Sequence, residues 1–302
     1  MDRSAASVTI PRLRMKDGVL DLSRTRIMGV INVTPDSFSD VGRFFQNNSK
    51  AIEAALHMAE DGADIIDVGG ESTRPGAGAV SQEEETARVL PVIEGIRKHS
   101  GIPVSIDTFK SATARAAIKA GASMINDTTG LMFDPAMAEV AAKTGAAVVI
   151  MHIKGTPADM QADPQYTDLL GEVKGYLKAG IDRALKAGVP EDSISIDPGI
   201  GFGKTLEHNL ELIARLGELA GLGYPVVLGV SRKAFIGKLT GGAPVFDRLE
   251  GTISASVLGI ANGANIIRAH DVKAVRRAAD VADAILRAGS PHPLPLSRRV
   301  RG

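Results

Sequence analysis

Ile27-Met28-Gly29-Val30-Ile31, followed by Asn32-Val33-Thr34-Pro35-Asp36-Ser37-Phe38-Ser39-Asp40, decides the fold. The first five residues are short, aliphatic and bounded by turn formers, so they read as a buried strand. The nine that follow are small, polar or aromatic, and a proline among them opposes helix, so they form a loop. A polar burst at one strand exit is an ordinary connection or a site, depending on whether other strands end the same way. Strand-like runs recur near Ile27, Asp64, Pro103, Ala122, Ala146, Ser193, Pro225 and Asn265, and each later one also ends in a polar residue.

Nearly every gap between these runs holds a helical pattern rich in Ala, Leu, Glu and Lys. Asn48 to Glu60 ends at Gly62, and Ser81-Gln82-Glu83-Glu84 opens a helix towards His99 with capping-box spacing. Ser111 to Lys119, Pro135 to Lys143, Tyr166 to Lys186, Leu206 to Leu219, Phe246 to Ala261 and Asp271 to Arg287 complete the set. Eight strand-helix units predict an α/β fold of the (β/α)8 TIM-barrel type rather than a doubly wound sheet, which carries fewer strands. Val8 to Ile10 and Leu20 to Leu22, around Lys16-Asp17-Gly18, predict an N-terminal β-hairpin covering one end of the sheet. Residues 1–289 form one domain in this reading. Ser290 to Gly302, with three prolines, three arginines and no apolar period, is expected to be a disordered tail.

Composition narrows the function classes. Lys plus Arg balances Asp plus Glu at 35 each, so no overall field draws in nucleic acid or an anionic membrane, and any anion site is local. Zero Cys removes disulfides, thiolate metal sites and Cys nucleophiles, and fits a cytoplasmic protein. The apolar runs fall short of the roughly 18 residues of a membrane span, and Met1 to Arg14 lacks a signal peptide's hydrophobic segment.

A barrel's active site lies at the C-terminal ends of its strands. The predicted exits are Asn32; Gly69-Gly70-Glu71-Ser72-Thr73-Arg74-Pro75; Asp107; Asn126-Asp127; His152; Asp197-Pro198-Gly199; Ser231-Arg232-Lys233; and Arg268 with His270. A single Asp or Asn there is a helix cap or turn former, but eight polar exits on one face are not explained that way. Asp107, Asn126 and Asp197 directly follow apolar strands, where a carboxylate or amide must meet donors. A ligand with several N–H groups, such as an aminopyrimidine ring, satisfies them, with Lys233 available for a ring carbonyl. Arg74, Lys233, Arg268 and His270 point to a phosphate or carboxylate near the mouth.

Asp197 to Thr205 resembles a nucleotide-binding P-loop but has Pro198 where the first Gly is required, so it reads as a Gly-rich turn allowing close backbone approach. The six histidines show no zinc-type spacing. Oxygen donors around a bound diphosphate suit Mg²⁺, with Asn32 as the protein ligand.

Asn32 to Asp40, Gly69 to Pro75, Asn126-Asp127, Met151-His152 with Gly155-Thr156-Pro157, Asp197 to Lys204, Ser231-Arg232-Lys233 and Arg268 with His270-Asp271 together carry a close resemblance to the dihydropteroate synthase family of folate biosynthesis. The likeness runs from about Ile27 to His270. It implies a transferase, a sulfonamide target, that condenses 6-hydroxymethyl-7,8-dihydropterin diphosphate with 4-aminobenzoate, uses Mg²⁺ and assembles as a homodimer. By the same resemblance Asp107, Asn126, Asp197 and Lys233 hold the pterin and Arg268 stacks on it. Asn32, Arg74, Arg268 and His270 take the diphosphate, and Thr73, Pro75, Phe202, Ser231 and Lys233 line the aminobenzoate pocket. Asp107, Lys233 and Arg268 are the expected catalytic groups. The loops Asn32 to Phe45 and Glu71 to Val80 are expected to close over the substrates.

Two positions depart from the family pattern: Val41 stands in the first loop where two glycines are common, and Ala234 follows Lys233 where some members carry Ser. The aminobenzoate carboxylate is then expected at backbone N–H groups of the following helix. The alternatives are a methyltetrahydrofolate-dependent corrinoid methyltransferase and a non-catalytic pterin-binding paralogue. The first leaves the opening loop and Ser231-Arg232-Lys233 unexplained, and the second predicts a lost site residue.

Overall fold

In a computed structural model of the chain, the described residues are 12–34, 48–72, 80–156 and 159–289. A hairpin, β1 (Arg12–Met15) with β2 (Gly18–Asp21), leads into β3 (Arg26–Asn32) and α1 (Asn48–Glu60). Then come β4 (Ile65–Gly69), α2 (Gln82–His99), β5 (Val104–Asp107), α3 (Ser111–Lys119), β6 (Met124–Asp127), α4 (Met137–Thr144), β7 (Ala147–Met151) and α5 (Leu169–Ala187). The chain continues through β8 (Ile194–Asp197), α6 (Leu206–Ala214), α7 (Leu216–Ala220), β9 (Val227–Leu228), α8 (Ala234–Leu239), α9 (Leu249–Ala261), β10 (Ile266–Ala269) and α10 (Val272–Ala288). The eight strands β3 to β10 pair in parallel in the order β8-β7-β6-β5-β4-β3-β10-β9. Between β8 and β9 the ring is fastened by the bridge of Ile196 with Val226 and the bond from Ile196 N–H to the Pro225 carbonyl, 2.9 Å. This is the predicted barrel.

The two-residue period of a strand divides the aliphatic residues between two cores. Ile27, Ile66, Val68, Val104, Ile106, Val148 and Ile150 face outward under the helices. Met28, Ile65, Met124, Ala147, Val149, Val227 and Ile266 face inward, where Leu13, Met15, Leu20 and Leu22 of the hairpin region pack against them. The hairpin therefore plugs the end of the barrel where the strands begin. Its first strand lies later than expected: Leu13 and Met15 alternate with exposed Arg12 and Arg14, whereas Val8 to Ile10 fall outside the described residues.

Most helices match their predicted spans within two residues; the one expected from Phe246 starts at Leu249, and two other exceptions have a local reason. The Ser81 hydroxyl accepts from Glu84 N–H at 3.1 Å, capping α2 as expected. Instead of one helix from Leu206 to Leu219, a break at Arg215 (φ −107°, ψ 22°) divides α6 from α7, and α7 buries Leu216 and Leu219. The helix expected from Tyr166 starts at Leu169, because Asp168 is extended (φ −136°, ψ 96°) and its carboxylate caps the helix by accepting from Gly171 N–H at 3.0 Å. Strand seven, expected over Val226 to Val230, pairs with β10 only at Val227–Leu228 and meets β8 only through the Val226 bridge, and α8 follows a turn with no helical period long enough to read. The tail from Ser290 lies outside the described residues.

Candidate active site at the strand exits

A cavity of about 560 Å³ opens at the C-terminal ends of the strands, and Asn32, Asp107, Asn126, Asp197, Phe202, Ser231, Lys233, Arg268 and His270 all line it. These are the predicted site residues except Thr73, Arg74 and Pro75, which lie outside the described residues, as do most of the two loops expected to close. Asn32, Asp107, Asn126, Asp197 and Arg268 enter because each lies at the end of its strand on the inward phase of the pleat, whereas Phe202, Ser231, Lys233 and His270 come from the turns that follow. Asp127, one residue beyond Asn126, falls on the other phase. Its carboxylate accepts from Thr129 N–H at 2.8 Å and Leu131 N–H at 3.1 Å, so here the turn-forming role applies.

At the floor, the Arg268 guanidinium donates through Nε to Asp67 Oδ2 at 2.6 Å and through Nη2 to Asp107 Oδ2 at 2.8 Å. Asn126 Nδ2 donates to the same Asp67 oxygen at 3.0 Å. Burial pushes the Asp107 carboxyl up to about 7, with Arg268 and Lys233 opposing and Asp67 and Glu85 adding to the rise. Burial works against the Arg268 charge, but Asp67 and Asp107 outweigh it and hold the guanidinium above its usual range. Two carboxylates sharing one cation in a water-poor site form a network in which each partner needs the others.

Across the cavity, burial pushes Asp197 up to about 6, against the pull of the Gly199 N–H and the Lys233 and Arg268 charges. Asp197 Oδ1 accepts that N–H at 2.7 Å. Lys233 Nζ stands 4.3 Å from the Phe202 ring centroid, a cation–π contact that joins the exits of β8 and β9. At the lip, Ser231 Oγ lies 3.0 Å from His270 Nδ1 and accepts from His270 N–H at 3.2 Å.

Between Ser231 and Lys233, Arg232 holds a left-handed backbone (φ 58°), which costs on the order of 1 kcal/mol for a residue with a Cβ. The turn is held from three sides. Arg232 donates to both Asp271 oxygens at 2.7 and 3.0 Å, its N–H donates to Thr252 Oγ1 at 3.0 Å, and its carbonyl accepts from Arg248 at 2.9 Å. The strain is spent on sending Ser231 and Lys233 into the same cavity.

The Gly-rich turn after β8 serves the backbone first. A Cβ at Gly199 would stand 1.8 Å from the His152 carbonyl oxygen, so only glycine fits. His152 itself is buried away from the cavity, where the Lys204 ammonium lies 2.8 Å from its Nδ1 and donates to the Phe202 carbonyl at 2.9 Å. Burial, then the Lys204 charge, lowers the imidazole to about 2, and burial draws Lys204 well below the usual lysine range despite nearby Asp197.

Sequence reasoning assigns no role to Asp67, to Lys204 within its Gly-rich turn, or to the cluster of Lys110 with Glu85 and Glu71, although Glu71 stands in the second strand exit. Asp67 had a readable signal, a carboxylate inside Ile65-Ile66-Asp67-Val68. Lys110 donates to the wholly buried Glu85 at 2.9 Å and contacts Glu71, whose other oxygen accepts from Val80 N–H at 3.1 Å. This ties the end of β4 to the start of α2, but nothing in the sequence marks their spatial meeting.

For a metal, Asn32 is the relevant donor. At Gly69 a Cβ would stand 3.6 Å from Asn32 Oδ1 and 3.7 Å from Asp107 Oδ2, so both oxygens converge over that glycine. One neutral amide oxygen with a carboxylate nearby suits Mg²⁺, which takes few protein ligands and completes its shell with phosphate and water. Among the described residues no cluster of three His, Cys, Asp or Glu forms a cage of its own.

Asp107 and Asn126 with the Arg268 guanidinium at the floor, Asp197 and Lys233 across from them, His270 at the lip and a parallel barrel around them all define an enzyme site for a flat, N–H-bearing heterocycle that carries an anion. Residues 28–270 match the family described as pterin binding enzyme, and the chain belongs to that family. Among its relatives, the dihydropteroate synthase of Bacillus subtilis is 48% identical over 269 residues, covering 89% of this chain and 91% of that protein. The dihydropteroate synthase of Yersinia pestis, solved with a sulfonamide drug, superposes with a TM-score of 0.88 at 41% identity, covering 91% of this chain and 99% of that one. That of Xanthomonas albilineans, solved with 4-aminobenzoic acid, gives 0.85 at 44% identity, with 92% and 99% covered.

Proposed function

We propose that this protein catalyses the dihydropteroate synthase reaction, joining 6-hydroxymethyl-7,8-dihydropterin diphosphate to 4-aminobenzoate with release of diphosphate. The observation that carries the proposal is the meeting of Asp107, Asn126 and Asp197 with Lys233, Arg268 and His270 in one cavity. Acceptors match the N–H edge of an aminopyrimidine, and the cations match its anionic substituent. The similarity to dihydropteroate synthases over nearly the whole barrel supports the same reading.

The reaction is a dissociative substitution. The bond from the pterin methylene carbon to the diphosphate oxygen breaks, the electron pair leaves with diphosphate, and the dihydropterin ring spreads the positive charge. Asp107, Asn126 and Asp197 orient the ring, and the ionised Asp107 carboxylate stabilises the cation by preorganised electrostatics. Arg268, His270 and, from the sequence pattern, Arg74 receive the departing anion. Mg²⁺, held through Asn32, would neutralise part of that anion's charge. The amine of 4-aminobenzoate, placed by Phe202, Ser231 and Lys233 together with Thr73 and Pro75, forms the new C–N bond and loses a proton. No protein nucleophile enters.

The proposal includes a cytoplasmic homodimer. The absence of cysteine supports the location, and exposed Leu258 on α9 with Val281 and Ile285 on α10 supports self-association, which sedimentation velocity measures. Purified protein given pterin diphosphate and Mg²⁺ is expected to release diphosphate over many turnovers only when 4-aminobenzoate is also present. Pterin binding without aminobenzoate-dependent release would favour the non-catalytic paralogue. Methyl transfer from methyltetrahydrofolate to a corrinoid would favour the other rival.

A further inference from the structure

Asp67 is wholly buried on the inward face of β4, below the residues that line the cavity. Its Oδ2 accepts from Arg268 Nε at 2.6 Å and from Asn126 Nδ2 at 3.0 Å, and among the described residues its Oδ1 has no hydrogen-bond partner. A carboxylate in so apolar a strand is costly unless it does something for its neighbours.

The chemistry of the amide shows what it does. A side-chain amide has a donor end and an acceptor end, and the two are close to isosteric. Left alone, Asn126 could turn either end to a ligand. With its nitrogen bound to an ionised carboxylate, turning it would set oxygen against oxygen in a buried site. Only the Asn126 oxygen then faces the cavity. The same Asp67 oxygen fixes the Arg268 guanidinium through Nε, leaving Nη2 for Asp107. We propose that Asp67 is a positioning residue for the reaction, which makes Asn126 an obligatory acceptor and so restricts the cavity to heterocycles that present an N–H at that point.

This inference rests on the pterin reading of the cavity. Asp67→Asn preserves the side chain's size, removes its charge and permits the Asn126 amide to turn over. The expected result is a rise in KM for the pterin diphosphate of about 10- to 100-fold, the loss of a charge-assisted bond, with KM for 4-aminobenzoate unchanged within about twofold. In an Asn126→Ala background the same substitution is expected to cost much less, because its effect passes through the missing amide. Near-normal kinetics, an equal rise in both KM values, or full additivity of the two substitutions would overturn it. Should the variant fail to fold, wild-type protein crystallised with 6-hydroxymethylpterin gives an independent answer. Asn126 is expected within hydrogen-bond distance of Asp67 on one side and of a ring N–H on the other, and an Asn126 swung away from Asp67 would overturn the inference. Wild-type protein that binds no 6-hydroxymethylpterin would instead defeat the functional proposal.

Discussion

Arg268 and Asp107 meet through a single 2.8 Å bond, and Arg268 reaches across the barrel from β10 to make it. The bond favours the ionised carboxylate while burial favours the neutral acid, and burial prevails, leaving the group at about 7.

A pH dependence follows. With the ionised form needed to stabilise a developing cation, kcat/KM is expected to fall as pH drops below about 7, with unit slope, in a profile from pH 5 to 9. Asp107→Asn removes that limb and lowers kcat by about 100-fold or more. For stability the sign is opposite to that of an ordinary paired carboxylate. The native state holds the Asp107 proton more tightly than the unfolded chain, so this group's contribution declines as pH rises from about 4 to about 7. In urea unfolding, the stability of Asp107→Asn relative to wild type is therefore expected to rise between pH 4 and pH 8.

Lys233 stands between the two substrate regions, 4.3 Å from the Phe202 ring and opposite Asp197. Lys233→Ala is expected to abolish turnover while leaving the thermal midpoint within a few degrees, because a half-buried cation at a cavity wall contributes little to the core. A near-normal rate of diphosphate release would remove Lys233 from the site.

His152 contributes an acid sensitivity unrelated to catalysis. Its imidazole is held to about 2 by burial and then by Lys204, so between pH 6.5 and 2 the unfolded chain binds a proton that the native state refuses. Stability is expected to fall as pH drops below 6.5, by roughly 2 kcal/mol from this residue at pH 5. In His152→Gln, chemical unfolding at pH 5 and 7 should show a shallower slope by that amount.

Leu13 is wholly buried at the closed end of the barrel, far from the cavity. Leu13→Ala is expected to cost about 2–5 kcal/mol of stability and to leave KM for both substrates unchanged at 25 °C, since the plug touches none of the strand exits. Differential scanning calorimetry and steady-state kinetics check the two halves separately.

The barrel was legible because parallel strands buried on both faces are nearly continuous aliphatic runs, and a Gly-Ala or Gly-X-Pro turn introduces several of them, as at Gly62-Ala63 and Gly101-Ile102-Pro103. The exits were legible because a polar residue directly after such a run is conspicuous, as at Asp107, Asn126 and Asp197. Asp67 was passed over because it sits within the run rather than after it. Lys204 reads as part of a Gly-rich, phosphate-loop-like motif, whereas its partner is His152, just past the end of the neighbouring strand. The break at Arg215 and the two-residue β9 depend on packing against other elements, which local periodicity does not encode.

The seam between β8 and β9 has a consequence for adaptation. Phe202 hangs from one side of it and Lys233 from the other, while Asp107 and Asn126 belong to strands with continuous ladders on both flanks. A substitution that loosens the seam would alter the width of the slot between Phe202 and Lys233 without disturbing β5 and β6. Tolerance to an aminobenzoate mimic could then be acquired at this joint while the grip on the heterocycle is retained.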